Sequence, residues 1–441
     1  MNNPKIENGL NKFLVLWMGE LISNIGTGLT AFALGVYVWL MTQSAVDVAM
    51  VEMAALLPMI LLAPAAGVLA DRFDRRLLMM LGDIVSGFAL VVLLVLIING
   101  HIQVWQICVC IGVSSLFSAL LNPAYKATIT DLLTEEEYAK ASGMVGIASS
   151  SKFLISPILA GFILAFSTIE VVLIIDILTF VIAIIAIFLI RKSLAIKPRV
   201  KEKLNFFNDL KEGWLIILES KGVLRLIVLV SFLMFYMGMI QVLSKPLLLA
   251  ITDEKTTGIL LTIIACGMLV SSIVIGNGIL KKNYVNVMVG SFIVAGVTMA
   301  GFGATTSIPV ILLSGFLFFA SLPFANASID VLIRKSIDNH KQGRAWGLIS
   351  LISQVGFVVA FVIGGFLADH VFNPAFAEGG VLASTVGKII GTGEARGIGF
   401  LIILAGLGLI ITALFVSRSR GIRDMDTPNR VGTDRTGISK T

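Results

Sequence analysis

Glu20, Glu52, Lys152, Asp176 and Lys245 are ionisable side chains inside long apolar stretches of this 441-residue chain. A charge at the middle of a bilayer costs about 2.5–3.5 kcal/mol on insertion scales, so such groups pair, face water, or carry protons and ions. Glu52 and Lys245 fall near the ends of their stretches and read as structural. Asp176 lies about six residues into its stretch. Glu20 and Lys152 lie deeper and read as a coupling site or as a static ion pair that steadies packing. A nearby ammonium favours the ionised carboxylate, and protonation of Glu20 would release Lys152 or a cationic solute.

Uncharged polar residues accompany them. The first stretch carries Glu20, Ser23, Asn24, Thr27 and Thr30; a later one Ser149, Lys152 and Ser156; another Ser350, Ser353 and Gln354. Spacings of three, four and seven put each set on one helical face. In an apolar helix such a stripe is either helix–helix glue or a cavity wall. Ser149 and Ser353 correspond in an internal repeat described below, which favours the cavity. The expected pathway for a small-molecule solute and for protons is therefore Glu20, Asn24, Thr27, Ser149, Lys152, Asp176, Ser350 and Gln354.

These residues need elements to position them. The chain is 57% hydrophobic and 14% charged, with a mean hydropathy of +0.97. Soluble domains carry about 25% charge. A soluble enzyme, a nucleic-acid binder and a disordered chain are all excluded on this ground. The pI of 9.2 and net charge of +6 reflect basic clusters between apolar runs, the pattern of a polytopic membrane protein.

A membrane-spanning helix needs about 20 apolar residues. Twelve runs qualify, at 12–40, 46–70, 77–98, 104–125, 141–166, 170–191, 223–250, 256–280, 285–305, 309–332, 344–370 and 396–416. They are continuous where barrel strands would alternate, so the fold class is an all-α membrane protein with the lipid bilayer as its surroundings. The run Phe13–Met41 exceeds the roughly 7–15 residues of a signal peptide core and is expected to remain as span 1. Cys108, Cys110 and Cys266 lie inside runs and read as packing residues.

Of 33 Lys and Arg, only Lys152, Lys245, Lys255, Lys388 and Arg396 fall outside the segments that share a side with the two termini. Basic loops stay cytoplasmic, so both termini are expected inside. The polar stretch 192–222 separates an N-terminal half, 1–191, from a C-terminal half, 223–416. Within it Phe206, Leu210, Trp214, Ile217 and Leu218 recur at helical spacing and predict an amphipathic helix on the inner surface. The tail 417–441 is polar and expected to be disordered.

The halves repeat. Shifting Asn122–Phe162 by 204 positions aligns, without a gap, Asn122 with Asn326, Ile129 with Ile333, Ala141 with Ala345, Gly143 with Gly347, Phe153 with Phe357, Gly161 with Gly365 and Phe162 with Phe366. Two six-helix pseudo-repeats in the same orientation are a known transporter plan, with the solute site between them.

The loop between spans 2 and 3 reads Gly67-Val-Leu-Ala-Asp71-Arg72-Phe-Asp74-Arg75-Arg76. A carboxylate among three arginines forms a compact ion network at a helix end, or simply anchors a tight turn. The segment resembles the loop signature of the major facilitator superfamily, and the twelve-span plan extends the resemblance over nearly the whole chain. Ile175-Asp176-Ile-Leu-Thr-Phe180 and Gly343-Arg344-Ala-Trp-Gly347 resemble the drug:proton antiporter branch that includes bacterial macrolide-efflux-type exporters. Ser156-Pro157-Ile-Leu-Ala-Gly161 resembles a degraded antiporter motif, with Ser156 and Ala160 in place of glycines, so Pro157 and Gly161 are its matching positions. The resemblance implies that the loop residues Gly67, Asp71, Arg72, Arg75 and Arg76 help hold one closed state. It makes Asp176 either a helix-packing polar residue or a proton site, and it implies proton-coupled export of an amphipathic or hydrophobic solute across a bacterial inner membrane. The rivals are an uptake permease of the same fold and a non-transporting helper or receptor-like protein.

No cofactor is expected. The glycine-rich segment 378–399 follows no strand and lacks the P-loop pattern, which is absent throughout, so it reads as a flexible outer loop. The orientation is directly testable. Single cysteines at Gly100 and Gly380 should react with an impermeant thiol reagent from outside and one at Asn205 should not; the reverse pattern overturns the assignment.

Overall fold

The computed structural model describes residues 9–134, 137–191, 221–277, 279–280, 282–336 and 342–423. Among them twelve helices are long and apolar enough to cross a membrane. Span 1 is Gly9–Thr42, span 2 Ala45–Arg72, span 3 Arg75–Ile98, span 4 Val104–Leu132, span 5 Tyr138–Leu154 plus Ser156–Phe166, and span 6 Ile169–Arg191. Span 7 is Lys221–Leu249, span 8 Glu254–Gly276, span 9 Tyr284–Ala304, span 10 Ile308–Ser336, span 11 Gln342–Leu367 and span 12 Glu394–Arg418. The amphipathic helix expected at 206–218 and the tail beyond 423 lie outside the described residues.

Local chemistry sets the ends. Ser44 caps span 2 by accepting from the Asp47 N–H, Asp74 caps span 3 through Arg76, and Asp253 caps span 8 through Thr256. Such caps satisfy orphan N–H groups where a helix begins. The Thr256 hydrogen bonds hold the Asp253 carboxyl below its ordinary range. Span 5 is not one straight helix: it breaks at Ile155, because Pro157 has no N–H to donate back to the preceding turn.

The repeat is visible in the packing. Spans 1 and 5, 1 and 6, 2 and 4, 3 and 4, and 3 and 6 pack together, and so do 7 and 11, 7 and 12, 8 and 10, 9 and 10, and 9 and 12. Gly9 abuts the end of span 4 at Leu132, and the short helix Arg420–Arg423 packs on span 7. The face carrying these ends is the terminal face, and the opposite one the distal face.

The halves meet along two seams near the distal face, span 5 against span 8 and span 11 against span 2. A methyl group placed on Gly161 would lie 2.7 Å from the Glu254 carbonyl oxygen and 3.3 Å from the Gly258 Cα. One on Gly365 would lie 2.9 Å from the Val46 Cα and 3.0 Å from both the Ala45 carbonyl and the Ala49 side chain. Small residues let two helix backbones approach this closely. At the terminal end of span 5, Gly143 and Gly146 have open space beside them, as does Gly276 at the terminal end of span 8.

The 378–399 segment differs from the flexible loop expected. Span 11 continues through a π-helical turn, Ala368–Phe372, into the short helix Asn373–Phe376, and Gly387–Ile390 forms another. Phe376 is fully buried against Phe400, and the buried Arg396 donates to the carbonyls of Ile390 and Thr305. These apolar and polar anchors replace the freedom that its glycine content suggested.

The seam predicts a conformational effect. Overpacking a close contact costs about 1–3 kcal/mol, roughly 5- to 150-fold in a two-state ratio. Gly258→Val should therefore leave the protein in the membrane but raise labelling of distal-face cysteines facing the other half. Unchanged labelling would mean that the seam tolerates a side chain.

Candidate functional site

Each intramembrane charge has a distinct setting. Lys245 Nζ lies 2.6 Å from Glu52 Oε1 and donates to the Ala31 carbonyl at 3.2 Å. Gln241 Nε2 donates to Glu52 Oε2 at 3.3 Å. Span 7 is thereby tied to spans 1 and 2 of the other half. Gly35 leaves room for this ammonium: a methyl group there would lie 2.9 Å from Nζ.

Asp176 is buried and joins span 6 to span 1. Its carboxylate accepts from Thr30 Oγ1 at 2.5 Å and from Thr179 Oγ1 at 3.2 Å. Gly26 gives the space for this approach. The Lys152 carbonyl lies against Gly28 of span 1, two residues before Thr30. All four residues thus meet one stretch of span 1, Lys152 at Gly28, Asp176 at Thr30, and Lys245 with its partner Glu52 at Ala31.

Glu20 belongs elsewhere. It accepts from Asn24 Nδ2 at 2.9 Å. Among the described residues no ion pair within 4 Å joins it to Lys152. Equal depth in two helices does not bring side chains together when they leave the helices in different directions. Trp17 Nε1 bonds the Met144 carbonyl at 2.7 Å and Ser156 Oγ the Ile25 carbonyl at 2.9 Å. This register puts Lys152 beside the Asn24–Gly28 turn, beyond Glu20.

Thr27 is half-buried on the same side of span 1 as Glu20. Ser149 is exposed and donates to its own helix at Val145. Ser353 donates to Ile349 at 2.7 Å, whereas Gln354 Oε1 is buried and meets no donor. Both line a cavity of about 510 Å³ between spans 7, 10 and 11, with Met234, Asn326 and Asp330. The Ser350 side chain lies outside the described residues.

At the loop motif, Gly67, Asp71 and Arg72 belong to the last turns of span 2, and the Asp71 and Arg72 side chains lie outside the described residues. Arg75 binds the Ala127 carbonyl and lies 2.8 Å from Asp131 at the end of span 4. Arg76 Nε lies 4.0 Å from Asp74. Pro157 and Gly161 form one wall of the span 5–span 8 seam, with Gly258 set against both.

The sequence reading missed three groups. Asp83 lies in mid-span 3 and is 1% exposed, and Tyr125 in span 4 is 2% exposed. A scan for every carboxylate in an apolar run would have found Asp83. Asp369 stands at the very end of the run 344–370. It accepts from Ser44 Oγ at 2.8 Å and from the N–H groups of Ala45 and Val46 at 3.0 and 2.8 Å, so span 11 caps span 2 across the halves. A carboxylate there also meets the positive end of the helix dipole.

Breaking one partner of a buried ion pair costs about 3–5 kcal/mol, because the other charge is left uncompensated. Lys245→Met should accordingly lower thermal stability in detergent, and Glu52→Gln with Lys245→Met should recover most of the loss. Equal losses in the single and double variants would deny the pair a stabilising role.

The family model described as Major Facilitator Superfamily matches residues 16–361. The chain is 26% identical over 382 residues to macrolide efflux protein A of Streptococcus pyogenes, spanning 83% of this chain and 92% of that protein. Its fold is similar to the nucleoside transporter NupG, with a TM-score of 0.70 at 14% identity over 93% of this chain and 100% of that one. A bacterial homologue of the iron transporter ferroportin matches at 15% identity in two states: the inward-facing form with a TM-score of 0.65, over 93% of this chain and 99% of that one, and the outward-facing form with 0.56, over 92% and 100%. Fold, repeat and family model agree: the chain belongs to the Major Facilitator Superfamily.

Proposed function

We propose that this transporter exports a small amphipathic or hydrophobic solute from a bacterial cytoplasm across the inner membrane, in exchange for protons. The observation that carries the proposal is the mixed chemistry of the cavity. Met234, Val230 and Ile333 supply apolar surface, while Asn326, Ser353 and the unpartnered Gln354 Oε1 supply a few fixed polar groups. A mostly apolar pocket with sparse polar anchors suits an amphipathic ligand. The name of the Streptococcus pyogenes relative, macrolide efflux protein A, supports export of drug-like compounds.

In this reading the terminal face is cytoplasmic. The units that move are residues 1–191 and 223–416, joined by 192–222 and followed by the tail 417–441. The two distal seams are closed and the cavity is filled from the cytoplasm. Rocking would then part the seams and bring the loop motif, including Gly67, Asp71, Arg72 and Arg76, to the closed side. Glu20 supports proton coupling: it is an intramembrane carboxylate bonded by the Asn24 side chain and still partly exposed. Protonation from outside and deprotonation inside would drive the solute the other way.

The test is accumulation in an exporter-deficient bacterial strain challenged with macrolides, cationic dyes and other antibiotics. Export predicts lower intracellular accumulation of at least one compound, lost when the proton gradient is collapsed. Glu20→Gln, which keeps size and hydrogen bonding, should abolish uphill export yet permit downhill exchange. Raised accumulation would instead indicate uptake. No change across the panel, with protein in the membrane, would favour a non-transporting role.

A further inference from the structure

The cavity between spans 7, 10 and 11 offers a solute mainly hydrogen-bond acceptors. Asp330 lines it with a side chain that is 42% exposed. Gln354 Oε1 lines it from span 11, enclosed and without a donor. Ser353 donates its hydroxyl proton to the Ile349 carbonyl at 2.7 Å, which leaves its oxygen as an acceptor too. Among the described residues Asp330 is the only charged group in the lining, and no aromatic ring lines the cavity. Arg334 Nε donates to Asp330 Oδ2 at 2.7 Å within span 10. Both of these side chains are exposed, and an exposed pair holds weakly. A carboxylate has about four acceptor positions, so this bond leaves room for a second donor.

The two acceptors are not part of the repeated scaffold. The shift of 204 positions that relates the halves sets Asn122 against Asn326, but Lys126 against Asp330 and Ser150 against Gln354. Span 4 therefore keeps the asparagine and reverses the charge. The fold is built in both halves, and the carboxylate is needed in neither for that purpose.

We propose that this cavity selects amphipathic solutes whose polar end is a protonated amine bearing N–H, bound at Asp330, with a second N–H or O–H of the solute donated to Gln354. The inference rests on the reading of this cavity as the solute site. A charge-assisted hydrogen bond is about twice as strong as a neutral one, so a protonated amine gains more at Asp330 than a neutral amide or alcohol. A quaternary ammonium has no hydrogen to donate and is held elsewhere by aromatic cages, which this lining lacks among the described residues. A carboxylate on the solute would meet Asp330 as a like charge and is selected against. Met234 and Ile333 take the apolar remainder. The hydrogen on the cation, and not its charge alone, decides entry.

Three probes with one chromophore test it: dansylcadaverine, which carries a primary ammonium, its neutral N-acetyl derivative and its quaternary N-trimethyl derivative. Fluorescence titration of the purified full-length protein in detergent, at neutral pH and constant ionic strength, gives an affinity for each. Wild type should bind the primary ammonium about tenfold tighter than either derivative. Asp330→Asn keeps the shape, removes the charge and should bring the three within about threefold of one another; Asp330→Ser gives the same reading should the Asn variant fail to fold. All three probes share a sulfonamide N–H, so Gln354→Leu should weaken them alike, by about threefold or more. The proposal is overturned if wild type binds none of the probes, if it binds the primary and the trimethyl ammonium equally, or if the Asp330 variant keeps the wild-type preference. A preference lost with Asp330, together with no compound exported by cells, would keep this selectivity and reject the proposed export. Export of a macrolide or dye with no preference among the probes would do the reverse.

Discussion

Two close backbone contacts carry the rest of this structure. Gly161 meets the first turns of span 8 at Glu254, Lys255 and Gly258, and Gly365 meets the first turns of span 2 at Ala45, Val46 and Ala49. Aligned on their capping residues, Asp253 and Ser44, these are the same positions in the two halves. The repeat therefore places one seam twice. Contact without intervening side chains brings the halves together at the distal face, and the open space beside Gly143, Gly146 and Gly276 lies at the other end of the same helices. The polar additions break the symmetry. Asp369 caps span 2 at one seam, while Lys255 sits 4.7 Å from the centroid of Phe162 at the other. Such polar and cation–π contacts strengthen a seam by small increments and can still be broken.

The intramembrane charges solve burial in three ways. Glu52 and Lys245 neutralise each other across the halves, with Gln241 satisfying the second oxygen. Asp176 is neither paired nor exposed but takes hydroxyl donors from two helices. Asp83 has neither device. A paired charge at the boundary belongs to the closed arrangement of the halves, since separating them would strand both members. A group satisfied within one half moves with that half as a unit. This division separates the groups that tie the halves together from those that stay within one half.

The sequence made the spans plain because continuous apolar runs have one physical reading in a membrane, and their ends fell within a few residues of the helices observed. Gly161 and Gly365 were matched by the repeat before their partners were visible. What hydropathy lacks is direction. It gives the depth of Glu20 and Lys152 but not their azimuth, so two residues at similar depth proved to face different neighbours. Hydropathy is equally silent on Asp369, which stands at the end of the run 344–370 and acts on the opposite half. The glycine-rich segment before span 12 read as loose because composition reports backbone freedom and not the burial of Phe376.

The central claim is that the distal seams close and open as solute crosses. It is tested most directly by replacing Phe162 and Lys255, which face each other across one seam, with cysteines in protein lacking Cys108, Cys110 and Cys266, and joining them with a short bifunctional thiol reagent that a reductant cleaves. Transport of an exported macrolide or dye in proteoliposomes should stop on cross-linking and return on reduction. Transport at the same rate in the cross-linked and reduced protein would contradict the account.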